Sequence, residues 1–427
     1  MLNRKIIPQT TISDLRNLHL PQPEFYRLQT GIPLFTIHGG SEALCKIEFV
    51  FDAGAAYQSK PLVASFTNTL LKDGTTTRSS LEISETLDYY GAYLEYYTTP
   101  DTAVIALYSL NKHLHHTVPV FIDLIFHATF PEQEFRLLLD QQIQQFQINN
   151  KKVQYRAAKR FKPLLFGKSH PYGQEVTEES FRIISAEDLR SFYATCYTPD
   201  NARVIISGNI DRNSVSLLNR YIPVTFEERP KTKQPEYFTP VSDVHSEIIS
   251  VEHVVQSAIQ VGSLTINRDH QEYAQVEFAC TVLGGYFGSR LMKNIREDKG
   301  YTYGIGARMV PLKNGAYYTI AAEVAAELTQ ATLSEIRKEM KRLRTEALSI
   351  EELALVKNYL RGTLLRSFDG PMALAERFRE MSDAGLDNRY YQKVFETIET
   401  ISAQEILYTA EKYFHEDRIS IVIAGRK

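Results

Sequence analysis

Short apolar runs and longer amphipathic segments alternate along the first half of the chain. The short runs are rich in β-branched and aromatic residues, which is typical of strands, whereas apolar residues three and four positions apart predict helices. The predicted strands are 34–38, 45–51, 92–98, 102–108 and 204–207, with a further strand at 419–424 near the end of the chain. The predicted helices are 63–72, 81–90, 113–127 and 134–166. This mixture predicts an α+β fold.

Two parts of the sequence repeat at the same offset of 217 residues. ISAEDL at 184–189 recurs as ISAQEI at 401–406, and YTPD…VIISG at 197–208 recurs as FHED…IVIAG at 414–425. An offset of half the chain indicates two homologous domains, because solenoid repeats have periods of about 20–50 residues.

The duplication predicts the domain boundaries. We expect an N-terminal domain at 1–222, a linker at 223–240 that is rich in proline and charge, and a C-terminal domain at 241–427. Ser402 with Glu405, and Ser349 with Glu352, form capping-box patterns that predict two helix N-termini in the second domain.

Composition narrows the class of protein. The 427 residues, of which 43% are apolar, can bury more than one core, and the formal net charge is only −3. Cys45, Cys196 and Cys280 are odd in number and scattered, which argues against a disulfide framework and against a cysteine zinc site. No apolar stretch has the length of a signal peptide or a membrane span. We therefore expect a cytoplasmic protein without a membrane partner.

A basic run at 151–168 holds seven Lys or Arg residues and no acidic residue. Nucleic-acid binding is not expected, because the chain as a whole is mildly acidic and has no recognisable nucleic-acid motif. Two interpretations remain, a solvated helix face and a positive wall of a peptide-binding chamber.

The most specific sequence signal is the run LGGYFGSRLMKNIREDKGYTYG at 283–304. Its glycines and Ser289-Arg290 precede a predicted helix, and Arg296 is followed seven residues later by Tyr303. A guanidinium and a phenol hydroxyl are both donors suited to an oxygen that gains negative charge. Neither group can activate a water molecule.

This run resembles the C-terminal half of the insulinase and pitrilysin family of zinc metallopeptidases, which includes the mitochondrial processing peptidases. The resemblance implies two similar domains, each with a mixed or antiparallel sheet flanked by helices, that together form half of a clamshell. It also implies that Arg296 and Tyr303 point into a catalytic chamber and contact the substrate carbonyl.

In that family, the N-terminal half carries H-x-x-E-H on a helix, where two His bind zinc and the Glu is the base. The matching segment here, at 62–75 and ending in a Gly-Thr pair, places Ser65, Asn68 and Thr69 at the three chemical positions. Hydroxyls and a carboxamide are weak zinc ligands, and Asn68 cannot accept a proton from water. The zinc motif is therefore degenerate.

The third zinc ligand of the family is a Glu further along, in a long helix. Residues 141–174 contain no Asp or Glu, and none of the eleven His is followed three residues later by Glu. We predict that this chain has no metal site and no cofactor of its own, and that zinc is bound by a partner.

The predicted function is that of a non-catalytic subunit of a heteromeric zinc peptidase, inactive alone. A homologous subunit bearing H-x-x-E-H would bind zinc, and this chain would supply Arg296 and Tyr303 and close a chamber around a peptide substrate. A homodimer is possible when the chain is alone. Two alternatives remain, an inactive peptide-binding or scaffold protein and, less favoured, a stand-alone zinc peptidase.

Two further segments match family patterns. Residues 91–99 align with an edge strand to which substrate adds in catalytic relatives, but Glu95 and Tyr96 stand where Asn and Ala are usual. We interpret this segment as a structural strand. HPYG at 170–173 is expected to shape a turn after the long helix.

Overall fold

The described residues form two sheets, and the first of them has six strands. The computed structural model describes residues 21–210, 212–223, 232–238, 245–387 and 389–426. From edge to edge, the strands of the first sheet are β1 (Glu24–Arg27), β2 (Pro33–His38), β6 (Ala202–Gly208), β3 (Leu44–Phe51), β5 (Ala103–Leu110) and β4 (Tyr93–Thr98). Only β2 and β6 pair in parallel, so the sheet is mixed.

The second sheet has five strands and repeats this topology. From edge to edge they are β7 (Ser246–Ser250), β11 (Ser420–Gly425), β8 (Gln256–Leu264), β10 (Gly315–Ala325) and β9 (Thr302–Leu312). Here only β7 and β11 pair in parallel. Each strand therefore has a counterpart in the first sheet, with β9 corresponding to β4. The internal duplication seen in the sequence is a duplication of the sheet.

Helices flank both sheets, which confirms the predicted α+β class. In the first half they are α1 (Val63–Leu70), α2 (Ser80–Tyr89), α3 (Leu114–Phe126), α4 (Glu132–Asn150), α5 (Val153–Phe166), α6 (Glu178–Ile183), α7 (Ala186–Cys196) and α8 (Arg212–Tyr221). In the second half they are α9 (Tyr273–Cys280), α10 (Thr329–Thr345), α11 (Ile350–Arg366), α12 (Pro371–Asp383), α13 (Arg389–Thr400) and α14 (Ala403–Tyr413). Two π-helical segments follow α9, at Thr281–Gly285 and Met292–Asp298.

The predicted helix caps are present. Ser185 and Ser402 each accept a hydrogen bond from the backbone N–H three residues later, and the acidic side chain there, Asp188 or Glu405, accepts from the serine N–H in return. Ser349 caps α11 by accepting from the N–H of Glu352, but the Glu352 carboxylate contacts Arg290 instead of returning the bond, so only half of this predicted capping box forms. These caps satisfy N–H groups that have no partner within the helix.

Strand β3 shows how the first sheet is covered on both faces. Ile47, Phe49 and Phe51 belong to the large apolar core beneath the helices of the first half. Val50, one residue out of phase, lies on the opposite face and packs with Ala375 of α12. Because side chains alternate across a strand, a fully buried strand needs cover on both sides.

The two halves exchange one helix each. Helix α5 of the first half packs on β8 and β11 of the second sheet, and α12 of the second half packs on β2 and β6 of the first. Through this exchange, Ala157 and Phe161 share a core cluster with Tyr317 and Val422. Each sheet is thus covered on one face by its own helices and on the other by a helix from the other half.

The prediction of one continuous helix over 134–166 is wrong. Helix α4 ends at Asn150, and Lys152, with extended backbone, precedes α5. The break follows from the exchange. Phe135 and Phe146 of α4 pack in the core of the first half, whereas Val153 and Phe161 of α5 pack against the second sheet. One straight helix could not serve both surfaces.

The HPYG turn joins the two halves. The Tyr172 hydroxyl donates to Asp101 Oδ1 at 2.6 Å and accepts from the backbone N–H of Asn314 at 3.1 Å. The backbone N–H of Lys313 donates to Asp101 Oδ2 at 3.0 Å, and the Lys313 ammonium lies 3.0 Å from Asp52. Burial, together with the charge of Asp101, raises the pKa of Tyr172 well above its usual range. This turn has the structural role that the sequence indicated.

Much of the predicted linker at 223–240 lies outside the described residues, so the domain boundaries stay a prediction. Within the described ranges, no helix combines the length and the apolar character needed to cross a bilayer. The three cysteines are buried and form no disulfide with one another.

Candidate functional site

Helix α1 carries the degenerate zinc motif, and its central residue is fully engaged. Asn68 is 1% exposed. Its amide nitrogen donates to the backbone carbonyls of Tyr97 and Val104, at 3.0 Å each, and its carbonyl oxygen accepts from the Tyr197 hydroxyl at 3.2 Å. The side chain predicted to stand at the position of the catalytic base therefore fastens α1 to strands β4 and β5.

The other motif positions do not fit zinc either. Ser65 donates its hydroxyl proton to the carbonyl of Leu62 at 3.0 Å, and Thr69 offers one neutral hydroxyl. Zinc in proteins is held by thiolate, imidazole or carboxylate groups. Among the described residues, no group of three or more His, Cys, Asp or Glu side chains could hold a metal ion. We therefore derive no zinc chemistry from this helix.

The glycine-rich run leads into the segment that carries Arg296. Gly284 packs directly against the backbone of β9. A Cβ atom at this position would lie 2.6 Å from the Ala307 nitrogen, so any larger residue would push the strand away. Gly300 adopts a left-handed φ of +65° in the turn before β9. The two glycines thus fix how the Met292–Asp298 segment approaches the strand that bears Tyr303.

Arg296 and Tyr303 lie next to each other at the surface. The Arg296 Cζ atom is 5.3 Å from the centre of the Tyr303 ring and 4.5 Å from the centre of the Phe287 ring. Both rings are exposed, Tyr303 to 91% and Phe287 to 62%. A guanidinium held over aromatic faces keeps its N–H edge available for an oxygen ligand. The sequence analysis missed Phe287, although an aromatic residue within the glycine run was a signal for it.

Polar contacts on the far side hold the Arg296 segment in place. Asn294 donates to Glu339 Oε1 at 2.6 Å and to Glu335 Oε2 at 2.9 Å. Arg290 makes a two-pronged contact with Glu352, at 2.8 and 3.0 Å. Glu339 is completely buried, so its bond with Asn294 forms where water does not compete. The segment is braced against α10 and α11, and Arg296 is left to face outward.

A trough of about 760 Å³ opens beside Tyr303. Helix α5 lines it on one side through Gln154 and Ala158, and strands β8, β9 and β10 form its floor, which is low at Gly304, Gly306 and Ala321. Pockets of about 300–1,000 Å³ are typical of ligand sites. The sequence analysis missed this trough, because it forms only when α5 crosses onto the second sheet.

Strand β4, aligned with the substrate-binding edge of catalytic relatives, is an edge strand of the first sheet. Glu95 Oε2 accepts a hydrogen bond from the Tyr108 hydroxyl at 2.8 Å and lies 3.3 Å from the Lys46 ammonium. Partial burial would raise the pKa of Glu95, but these two partners lower it overall. Glu95 therefore serves contacts within the sheet, in agreement with the interpretation as a structural strand.

Comparison with known proteins gives one family for both halves. Residues 35–165 match the model described as Insulinase (Peptidase family M16), and residues 184–360 match the model described as Peptidase M16 inactive domain. The chain belongs to peptidase family M16. The resemblance noted in the sequence and the α+β fold with its duplicated sheet are thereby confirmed.

Relatives within family M16 are distant in sequence, and some of them cover nearly the whole chain. The uncharacterized zinc protease YmxG of Bacillus subtilis is 20% identical over 410 residues, which is 92% of this chain and 96% of that protein. A probable inactive metalloprotease of the same organism, YmfF, is 23% identical over 249 residues, 57% of each chain. A crystal structure of a peptidase M16 inactive domain from Pseudomonas fluorescens has a TM-score of 0.86 at 21% identity, covering 95% of this chain and 99% of that one.

Within family M16, this chain is an inactive, peptidase-like member. The family fold is present in both halves, and Ser65, Asn68 and Thr69 of α1, the residues predicted at the zinc-motif positions, are not imidazole, thiolate or carboxylate ligands. What remains at the surface is the pair of donors, Arg296 and Tyr303, beside an open trough.

Proposed function

We propose that this chain is the non-catalytic subunit of a heteromeric zinc peptidase. A homologous subunit with an intact H-x-x-E-H motif binds zinc and activates water. This chain closes the chamber around the peptide and places Arg296 and Tyr303 against the carbonyl oxygen that becomes negatively charged.

The observation that carries the proposal is the exposure of Tyr303 beside Arg296. A phenol ring that is 91% exposed contributes little to the fold, and the guanidinium over its face has no carboxylate partner among the described residues. Such groups are free to donate to an outside oxygen. Because Asn68 is hydrogen-bonded to strands β4 and β5 and is no base, the proposal requires that the water-activating base comes from another chain.

The Arg296 and Tyr303 donors act on the transition state. As water attacks the peptide carbonyl, its oxygen takes up negative charge, and the phenol and guanidinium hydrogen bonds strengthen at that moment. Removing one donor of this kind from a peptidase lowers turnover by about 10²–10³-fold. Arg296 and Tyr303 orient the peptide carbonyl and stabilise its negative charge, and the partner subunit performs the proton transfer.

The test mixes the purified chain with an H-x-x-E-H relative from the same organism and measures hydrolysis of a quenched fluorescent peptide. We expect activity to require both chains, and Tyr303→Phe or Arg296→Ala to reduce it about a hundredfold or more. Tyr408→Phe, which changes another exposed tyrosine on α14, is the matched control and should leave activity unchanged.

Two results would overturn the proposal. Full activity of the mixed pair with both Arg296 and Tyr303 replaced would show that the pair takes no part in hydrolysis. Bound zinc and hydrolysis by this chain alone would make it a stand-alone peptidase. Peptide binding without hydrolysis in any mixture would instead support the second candidate, an inactive peptide-binding scaffold, which the open trough beside Tyr303 favours.

A further inference from the structure

The trough beside Tyr303 has a distinct shape along its length. Strands β9 and β10 face each other with Gly306 opposite Ala321 and Arg308 opposite Thr319. The small side chains keep the floor low over the stretch between Tyr303 and Arg308. At about 3.4 Å per residue, this stretch is about 17 Å long, which accommodates an extended peptide of about five residues.

The end of the trough away from Tyr303 is positively charged. Arg308 lines the trough from β9. Lys162 lies on α5 one and two helical turns beyond Ala158 and Gln154, which line the trough, and it is close enough to Arg308 for the two charges to interact. Among the described residues, neither Arg308 nor Lys162 makes a hydrogen bond or an ion pair with a side chain. Their positive charges therefore meet no carboxylate at close range within the part of the chain that the structure describes.

Neighbouring cations of the same basic run behave differently. Arg160 contacts Glu247 at 2.8 Å and Glu175 at 3.3 Å, and Lys159 lies 3.7 Å from Glu175. Lys151 and Lys168 are exposed to solvent. The run thus contains cations with acidic partners, cations in water, and two half-buried cations, Arg156 and Lys162, for which the described residues show no acidic partner. Of these two, it is Lys162 whose charge interacts with that of Arg308.

The electrostatic surroundings of Lys162 support this picture. Burial lowers its pKa, the charge of Arg308 lowers it further, and Asp101 opposes the shift. Both oxygens of Asp101 are already engaged, with Tyr172 and the Lys313 N–H. A half-buried ammonium close to a second cation costs free energy that an incoming anion would offset.

We infer that this end of the trough binds a carboxylate of a peptide, through Lys162 and Arg308. The ligand class is an acidic peptide, either with a Glu or Asp side chain or with its free C-terminal carboxylate at this position. A guanidinium presents paired N–H groups to a carboxylate, and the ammonium adds a point charge. At the opposite end, the half-buried Glu323 lines the trough beside Tyr303, so the trough is negative there and positive at Arg308.

The position of the carboxylate relative to the chemistry rests on the proposed function. If a peptide carbonyl lies at Tyr303, the acidic group lies about five residues away along the peptide. The binding itself does not require a partner subunit, so it is measurable on this chain alone.

The experiment measures fluorescence anisotropy of labelled ten-residue peptides with the full-length chain. All peptides carry a blocked N-terminus. One has an internal Glu and an amidated C-terminus, one has Gln and a free C-terminal carboxylate, and one has Gln and an amide. We expect at least one carboxylate-bearing peptide to bind at least about ten times more tightly than the neutral peptide. Comparing the Glu peptide with the free C-terminal peptide shows whether the site prefers a side-chain carboxylate or a chain terminus.

Two double variants that each remove two positive charges distinguish binding in the trough from a general electrostatic attraction of acidic peptides. Lys162→Gln with Arg308→Gln should abolish the preference for the carboxylate, whereas Lys151→Gln with Lys168→Gln should leave it intact. Gly306→Val should weaken the binding of all three peptides, because the valine side chain would occupy space at the floor of the trough. An added Cβ at Gly306 meets only the Gly284 carbonyl oxygen, at an ordinary 3.6 Å, so the fold tolerates it.

Equal affinity for the three peptides, no binding of any of them, or a preference that survives loss of both cations would overturn the inference. Its failure and that of the proposed function are distinguishable. If this chain binds carboxylate peptides but Tyr303→Phe does not change hydrolysis by the mixed pair, the carboxylate site is supported and the role of Tyr303 is wrong. If Tyr303→Phe lowers hydrolysis but the chain shows no carboxylate preference, the role of Tyr303 is supported and the carboxylate site is wrong.

Discussion

Arg379 on α12 donates a hydrogen bond to Glu48 on β3 at 3.0 Å, although 331 residues separate them in the sequence. Both side chains are buried, and Lys46 lies 3.0 Å from the same carboxylate oxygen. The Arg379 guanidinium also lies over the Tyr97 ring, with its Cζ 5.2 Å from the ring centre. A charge from the second half of the chain is therefore built into the interior of the first, and the exchanged helix α12 is fixed to the sheet that it covers.

Replacing Arg379 by Met should destabilise the protein by about 3 kcal/mol. Removing one partner of a buried ion pair costs about 3–5 kcal/mol, and Lys46 still contacts Glu48, which favours the lower end. Chemical denaturation at neutral pH measures the free energy of unfolding. Arg136→Met, which removes an exposed pair with Glu132, should change it by less than about 1 kcal/mol. Equal effects of the two substitutions would show that the Arg379 contact does not hold the halves together.

Asn68→Asp should also lower the free energy of unfolding, by about 2–4 kcal/mol. The carboxylate would replace the amide N–H groups that serve the carbonyls of Tyr97 and Val104, and each unsatisfied buried carbonyl costs about 1–3 kcal/mol. Ser65→Ala on the same helix loses one local bond to Leu62 and should cost less than about 1 kcal/mol. A stable Asn68→Asp protein would mean that this site tolerates an acidic group, contrary to its assignment as a structural contact.

The elements of this fold could be predicted from local patterns, but their exchange between halves could not. Alternation in β3 and the Ser185 and Ser402 caps depend on neighbouring residues, so they are visible in the sequence. The break before α5 depends on a distant surface, the second sheet, and carries no strong local signal. Lys151-Lys152 continues a polar run of helical character, and only tertiary packing decides that the helix ends there.

The same division applies to the candidate site. Arg296, Tyr303 and the degenerate motif of α1 follow from short motifs at fixed spacing. The trough, by contrast, brings Lys162 of the first half to Arg308 of the second, and no spacing in the sequence predicts such a meeting. The basic run was visible as a composition, but only the structure separates Lys162 from its partnered neighbours.

The turn after α1 should depend on pH through Asp123. This carboxylate accepts hydrogen bonds from the Thr75 and Thr77 hydroxyls, at 2.7 Å each, and from Arg78 at 2.6 Å. Burial alone would raise the pKa of Asp123, but these three donors lower it overall. Since the folded-state pKa lies below the unfolded value of about 3.9, the stabilisation is complete above that value and is lost as the pH falls through the folded-state pKa.

Asp123→Asn should therefore cost about 1.5–3 kcal/mol at pH 7, the range for hydrogen bonds to a charged group, and progressively less in acid. Urea denaturation of both proteins at pH 7 and near pH 3 measures the two differences. Asp387→Asn, which alters an exposed carboxylate paired locally with Arg389, is the control. A difference that stays constant from pH 7 to pH 3 would contradict the assignment to the Asp123 charge.

Lys162→Met should stabilise the protein at pH 7 while weakening the binding of acidic peptides. Burial and the neighbouring Arg308 lower the folded-state pKa of Lys162, so the unfolded chain binds the proton more tightly and the charged side chain disfavours folding. This penalty is complete below the folded-state pKa and disappears as the pH rises through the unfolded value of about 10.4. Methionine keeps the apolar stem and removes the charge.

Thermal melts at pH 7 and pH 10.5 measure the consequence for Lys162. The melting temperature of Lys162→Met should exceed that of the unsubstituted chain at pH 7, and the gain should shrink at the higher pH. Lys168→Met, at an exposed position of the same basic run, should change it little at either pH. A lower melting temperature for Lys162→Met at pH 7 would show that the ammonium is stabilised within this chain, and a ligand carboxylate would then have no penalty to offset.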